Sequence, residues 1–380
     1  MEQHLEASTI LTLLASLLVI LASAELFTNG IEWLGHRLSL AEGAVGSVLA
    51  AVGTALPETL IPFVAILIAG GETGHEIGIG AILGAPFMLG TLAMFVTGLA
   101  AVVYARRRPE GAHIVVSRHV MARDIIFFLI MYTSATLVSF APGRVLHLIV
   151  CFALLGGYAV YLRQTFADTV ACESDVHALR FQRLLARWVC RREDGEGQDG
   201  YLERLSTVAN GTPRLRVIFS QVLMALGGII GGAYIFVGAA EQTSEALGVA
   251  PLIVALVIAP VATELPEKFN SIVWMRQGKD TYALGNITGA MVFQSSFPVS
   301  VGLAFTSWQL LAPAGQPQAA LRSVAIALVA GLWMLFAVLL APRITAANAG
   351  QAERVRLHPA VLLVGGALYL GFLIPLIVGV

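Results

Sequence analysis

Long apolar runs alternate with short polar stretches along the whole chain. Their lengths predict ten membrane-spanning helices, at about 9–35, 43–69, 76–105, 121–140, 143–163, 215–240, 246–275, 281–309, 319–341 and 357–378. Such runs reach or exceed the roughly 18 residues needed to cross a bilayer. Helices are the open-ended solution, because each backbone amide must find its partner inside its own segment. Against this background two strings stand out: Gly53-Thr-Ala-Leu-Pro-Glu58 and Ala262-Thr-Glu-Leu-Pro-Glu267 each place a carboxylate just after a Leu-Pro break. A charge at the centre of a spanning helix costs ~2.5–3.5 kcal/mol, so both acids are functional candidates by default.

The two strings lie 209 residues apart, and the same offset relates Phe27 to Phe236, Glu32 to Glu241, Thr54 to Thr263 and Pro57 to Pro266. Farther on the offset is 205 and pairs Gly80-Ala-Ile-Leu-Gly84-Ala85 with Gly285-Asn-Ile-Thr-Gly289-Ala290. The chain therefore reads as an internal repeat. Residues 1–163 form the first five-helix half, 164–214 a linker and 215–380 the second half.

Charge sets the orientation. Of 23 lysines and arginines, twenty lie in loops after odd-numbered spans; Arg144 and Arg322 follow even-numbered ones, and Lys268 lies inside a span. The positive-inside rule puts the odd loops, 164–214 included, in the cytoplasm and both termini outside the cell membrane. Five spans is an odd number, so the second half enters with the opposite sense and the repeats are inverted about an axis in the membrane plane. The two Leu-Pro-Glu breaks then face each other at mid-membrane.

Composition agrees. With 57% hydrophobic and 12% charged residues and a mean hydropathy of +0.80, the chain has too little polar surface to cover a soluble globule. The start Met-Glu-Gln-His-Leu-Glu lacks the basic flank of a secretory signal, so the first run reads as a retained span. Cys151, Cys172 and Cys190 have no metal-ligand spacing, which argues against a zinc site. In the linker, Leu179, Leu184, Leu185 and Trp188 among arginines predict a basic amphipathic helix, lying on anionic headgroups or serving as a solvated tether between the halves.

The chemistry is concentrated in spans 2, 3, 7 and 8. A proline inside a span removes one backbone hydrogen bond, so Pro57 and Pro266 should free carbonyls near Gly53-Thr54 and Ala262-Thr263. Thr54 with Glu58 and Thr263 with Glu267 are i,i+4 pairs, each presenting oxygens on one helix face. Two opposed faces of this kind offer roughly six oxygens, enough for a hard divalent cation. A proline kink with a hydrogen-bonded Glu explains one such string; two at matched positions favour the site.

These residues resemble the alpha-repeats of the sodium/calcium exchanger family, within the calcium/cation antiporter superfamily. The motif match spans about 43–98 and 250–303. The resemblance implies an all-α membrane protein of ten transmembrane helices as two inverted five-helix repeats. It also implies countertransport of Ca2+ against Na+ or H+ by alternating access. Glu58 and Glu267 match the paired acids of the central calcium site, and Thr54 and Thr263 the threonines that complete it. The departures fall on the flanking oxygens that serve sodium in that family. Ala55 and Glu264 stand for Ser, Gly84-Ala85-Pro86 and Gly289-Ala290-Met291 for Gly-Ser-Asn, and Leu89 and Gln294 for a later Asn or Asp.

The expected metal-binding set is Thr54, Glu58, Thr263, Glu264, Glu267 and Gln294, with Lys268 modulating it. Lys268 either pairs with Glu264 or Glu267 or snorkels toward Arg276. If Glu264 and Lys268 cancel, the remaining two acids match one divalent ion or two monovalent ones. Glu25, Asn29 and Glu32 share a face of span 1 and are weaker candidates for an ion path; Gly80, Gly84, Gly285 and Gly289 have the spacing for close helix contact. No cofactor and no nucleic-acid partner is expected; the partners are the transported cations and the bilayer. No Walker-type string is present, so transport is expected to run on ion gradients. The alternatives are a proton-coupled divalent exchanger without sodium dependence and a non-transporting membrane cation sensor. An intramembrane enzyme is disfavoured, since no paired catalytic-Asp signature is present and the histidines lie mainly near loops or span ends.

Overall fold

The computed structural model describes residues 7–37, 58–168, 179–181, 213–310, 317–344 and 353–378. Its helices are α1 (Ala7–Arg37), α2 (Glu58–Ala69), α3 (Gly71–Val103), α4 (Arg118–Val138), α5 (Arg144–Asp168), α6 (Leu215–Leu247), α7 (Pro251–Thr263) and α8 (Leu265–Arg276). They continue with α9 (Asp280–Gln294), α10 (Phe297–Phe305), α11 (Pro317–Leu340) and α12 (Ala360–Val378). Among the described residues seven segments are long and apolar enough to cross a membrane, α9 and α10 counting as one, and α2, α7 and α12 are shorter apolar helices. Large apolar side chains such as Val145 and Leu340 stand 72% and 80% exposed, as a lipid-facing surface requires. The chain is a helical, multi-pass membrane protein.

Position follows composition. The apolar window of α3, rich in glycine and alanine, is 83% buried against protein, whereas that of α5 is 22% buried and faces outward. Two apolar cores result. One gathers α1, α2, α6, one face of α7 and the start of α3; the other gathers the rest of α3 with α4, α5, the other face of α7, Met275 of α8 and α9 to α12. Helices α1 and α6 pair along their lengths and run antiparallel, Gly30 against Val222, Ser23 against Gly228 and Ile20 against Gly232. In hydrocarbon, small residues are what let two backbones approach this closely.

Three short strands, absent from the apolar-run pattern, join loops far apart in sequence. They are β1 (Ile114–Ser117), β2 (Arg343–Ile344) and β3 (Arg354–Leu357), in the order β1-β3-β2. β1 and β3 pair antiparallel with Ile114 opposite Leu357, tying the loop after α3 to the loop after α11. The outer edge of β1 is also satisfied, Val115 N–H donating to Asp280 Oδ2 at 2.8 Å and Ser117 N–H to Thr281 Oγ1 at 3.1 Å. Arg108 binds both carboxylate oxygens of Asp280, at 2.8 and 2.7 Å, with both side chains enclosed. The loops after α3, α8 and α11 therefore meet on one face of the molecule. On the opposite face Arg144, at the start of α5, donates to the carbonyls of Leu303, Ala304 and Thr306 at the end of α10, where the helix leaves acceptors unpaired.

Most of the linker lies outside the described residues, including nearly all of the expected amphipathic helix. Its described part, 179–181, sits on the α1/α6 pair: Leu179 packs with Trp33 and Ile218, and the N–H groups of Arg180 and Phe181 donate to Asn29 and Gln221. Asn29 thus faces α6 and the linker rather than an ion path, and Glu25 pairs with Arg180.

Candidate functional site

Span 7 is interrupted where the sequence predicts. α7 ends at Thr263, Glu264 takes a non-helical conformation (φ −91°, ψ 8°), and α8 starts at Leu265 with Pro266 in its first turn. The backbone bonds that cross the interruption are Glu264 N–H to Pro260 O, 3.2 Å, and Lys268 N–H to Glu264 O, 3.1 Å. Pro266 has no N–H to offer Ala262, in keeping with the carbonyl expected to be freed there. A second proline, Pro260, lies one turn earlier and removes the N–H that would reach Leu256. Its role was not read from the sequence.

That neighbourhood is pressed against α3. An ideal Cβ on Gly80 would lie 2.2 Å from the Leu252 carbonyl, and one on Gly84 would lie 2.2 Å from the Leu256 carbonyl and 2.7 Å from Pro260 Cγ. The predicted small-residue contact is therefore present for this pair, and glycine is what the approach requires. Glu76 on α3 meets the N–H of Leu252 near the start of α7. The repeat-matched partner of α7, residues 42–54, lies outside the described residues; an ideal Cβ on Gly285 would lie 3.9 Å from Val120 Cγ1 and one on Gly289 3.4 Å from the Tyr161 hydroxyl, ordinary contacts.

Glu58, Thr263, Glu264, Glu267, Lys268 and Gln294 are all buried. Thr54 and Pro57 lie outside the described residues. The Glu58 carboxylate is within electrostatic range of Glu267 foremost, then Glu264 and Lys268, which brings the two repeat-matched acids into one neighbourhood. The carboxylates of Glu58 and Glu267 each lean over their own backbone N–H, a shared geometry at matched positions. Thr263 Oγ1 donates to Ala259 O at 3.2 Å, which leaves its lone pairs available. Lys268 Nζ reaches back to Pro260 O at 3.3 Å and Glu264 Oε2 at 3.5 Å. It therefore points to the interruption and not toward Arg276, as the pairing alternative expects.

Gln294 ends α9, where Ser295 and Ser296 interrupt span 8 before α10 begins with Pro298 in its first turn. The apolar pattern predicts span 8, 281–309, as one unbroken helix. The corresponding stretch of the first half, Leu89–Ala93, is a π-helical turn inside α3, just after Pro86. Matched sites in the two halves thus both depart from regular α-helix, a frequent mark of functional positions. α9 is joined to α8 by Asn286 Nδ2 donating to Glu267 O at 3.3 Å and by Ser271 Oγ donating to Ala283 O at 3.0 Å.

Four buried acceptors find no hydrogen-bond donor among the described residues: Glu58 Oε2, Glu264 Oε1, Glu267 Oε2 and Gln294 Oε1. Buried polar atoms are nearly always paired, so the three carboxylate oxygens, on acids within electrostatic range of one another, call for a donor or a cation. No three His, Cys, Asp or Glu side chains among the described residues stand close enough to grip an ion by themselves. Ligation here would need oxygens beyond the carboxylates.

A second buried acid escaped the sequence reading. Asp124 on α4 accepts from Thr288 Oγ1 of α9 at 2.8 Å, from Tyr161 OH of α5 at 3.2 Å and from Arg123 at 3.1 Å. The signal was an acid only three residues inside the predicted start of span 4. Its oxygens are all satisfied, so it joins three helices.

The sequence matches the family model described as "Sodium/calcium exchanger protein" over residues 8–166 and 217–378. An uncharacterized membrane protein of Methanocaldococcus jannaschii is 22% identical over 305 residues, covering 77% of this chain and 80% of that protein. The fold is similar to a crystal structure of the H+/Ca2+ exchanger CAX, with a TM-score of 0.62 at 15% identity, covering 97% of this chain and 82% of that one. It is also similar to the sodium-calcium exchanger NCX_Mj, with a TM-score of 0.51 at 16% identity and 98% of both chains covered. With both halves matched and only the linker passed over, the chain belongs to the sodium/calcium exchanger protein family, a family of secondary transporters and not of enzymes.

Proposed function

We infer that the protein is a cation antiporter exchanging a divalent cation, calcium foremost, for sodium or protons. Exchange runs by alternating access around a mid-membrane site between two inverted five-helix repeats, residues 1–163 and 215–380. Thr54, Glu58, Thr263, Glu264, Glu267 and Gln294 supply its oxygens, and Lys268 modulates it. The cations are cargo, so no cofactor is invoked. The loops after odd-numbered spans, the 164–214 linker among them, face the cytoplasm, with both termini outside.

One observation carries this reading: the three buried carboxylate oxygens of Glu58, Glu264 and Glu267 without donors among the described residues, in a neighbourhood that holds the repeat-matched acids. A divalent ion satisfies them; in its absence monovalent ions or protons must. This is the condition for exchange, because a site with unmet negative charge is costly to carry through hydrocarbon. The antiparallel run of α1 and α6, matched helices of the two halves, is in keeping with inversion. Similarity to both a proton-coupled and a sodium-coupled exchanger keeps both counter-ions in view.

In proteoliposomes with imposed sodium or pH gradients, the wild type should take up radioactive calcium, and Glu58→Gln and Glu267→Gln should each lower uptake at least a hundredfold. Undiminished uptake in both variants would remove the assignment. Calcium binding without any uptake would make the protein a sensor instead.

A further inference from the structure

Lys268 is an unusual residue to find in this place. It is 6% exposed, on a helix that enters the membrane interior, and its ammonium turns toward the interruption between α7 and α8. A helical side chain leans toward the N-terminus of its own helix, which here means away from the Arg276 end of α8. Both contacts, at 3.3 and 3.5 Å, are longer than the ~2.7–2.9 Å of a strong charge-assisted bond. The ammonium acts electrostatically most on Glu264, its hydrogen-bond partner, and also on Glu267 and Glu58, so its field reaches every acid of the group.

We propose that Lys268 is a tethered monovalent cation that takes the place of one transported counter-ion and fixes the exchange at two monovalent charges per divalent ion. The inference rests on the antiport reading above. Counted as charged groups, the three buried carboxylates and one ammonium sum to two formal negative charges. One divalent ion cancels them, and so do two monovalent ions; a third would leave an uncompensated positive charge in a medium that screens poorly. Lys268 cannot leave, so its charge crosses neither way. It acts on the coupling ratio and touches cargo only through the field it adds.

The test is calcium exchange in proteoliposomes with the membrane potential clamped by potassium and valinomycin. Wild-type exchange should be insensitive to the clamped potential and rise with the second power of counter-ion concentration. Lys268→Met should raise the ratio to three, so that flux becomes voltage-dependent and third-power, and Lys268→Arg should behave as wild type. Should Lys268→Met carry no flux, Lys268→Gln, which removes the charge but keeps a donor for Pro260 O and Glu264, should carry the voltage-dependent exchange instead. A wild type that moves net charge overturns the proposal, whatever the variants do, and so does a Lys268→Met protein with unaltered coupling. A wild type without calcium flux would instead remove the antiport reading itself.

Discussion

Asp280 is a residue whose replacement should be felt throughout one face of the protein. Its two oxygens take Arg108 and the Val115 N–H, and the Arg108 side chain is fully enclosed. Removing one partner of a buried pair strands the other charge, at a cost of about 3–5 kcal/mol. Asp280→Ala should therefore lose about that much stability in detergent. Arg108→Met/Asp280→Leu should lose much less, since no charge is left behind; a denaturation series across the three proteins checks both. The burial of Glu58 and Glu267 was legible from sequence because each is a charge inside an apolar run. Asp280 was not, because it follows Gly278 and Lys279 and looks like any loop acid; its partner is 172 residues away. The contact of Pro260 was hidden for a different reason: it is made with Gly84, which only the packing of α3 on α7 brings near.

At the scale of elements, the contact between α3 and α7 sets the position of the interrupted span. Gly84→Val would drive a side chain into the Leu256 carbonyl and Pro260 Cγ, and the helices would have to part. Overpacking of this kind costs roughly 1–3 kcal/mol, and here it displaces the turn that leads into Glu264. Calcium uptake should fall more steeply than folded yield, measured as monodisperse protein after purification; equal losses would assign Gly84 to stability alone. The glycine spacing announced a close helix contact, but nothing in a linear pattern says which helix is met. Similarly, the apolar run of span 8 was legible while its interruption was not. Ser295 and Ser296 each satisfy their hydroxyls on the preceding turn, so the run reads as unbroken although the helix is not.

Across the molecule, the alternation of arginine-rich and arginine-poor loops was the feature of the fold most legible in the sequence. The Arg108–Asp280 pair and the β1-β3 ladder join only loops expected on one side, and Arg144 joins α5 to α10 on the other. On a background with Cys151, Cys172 and Cys190 replaced by alanine, Arg107→Cys should react with an impermeant thiol reagent from the cytoplasm and Gln318→Cys from outside. The reverse pattern would invert the orientation while leaving the helix packing intact. The strands themselves were illegible, being too short to register beside runs of twenty apolar residues. Their pairing has a consequence for the order of events at the ribosome. Ile114–Ser117 is made early and waits for Arg354–Leu357, so the first half can enter the bilayer but cannot finish the loop after α3. Only when nearly all of the polypeptide has been synthesised does that loop find its mate, and a nascent chain released too soon would carry an open edge that marks it as incomplete.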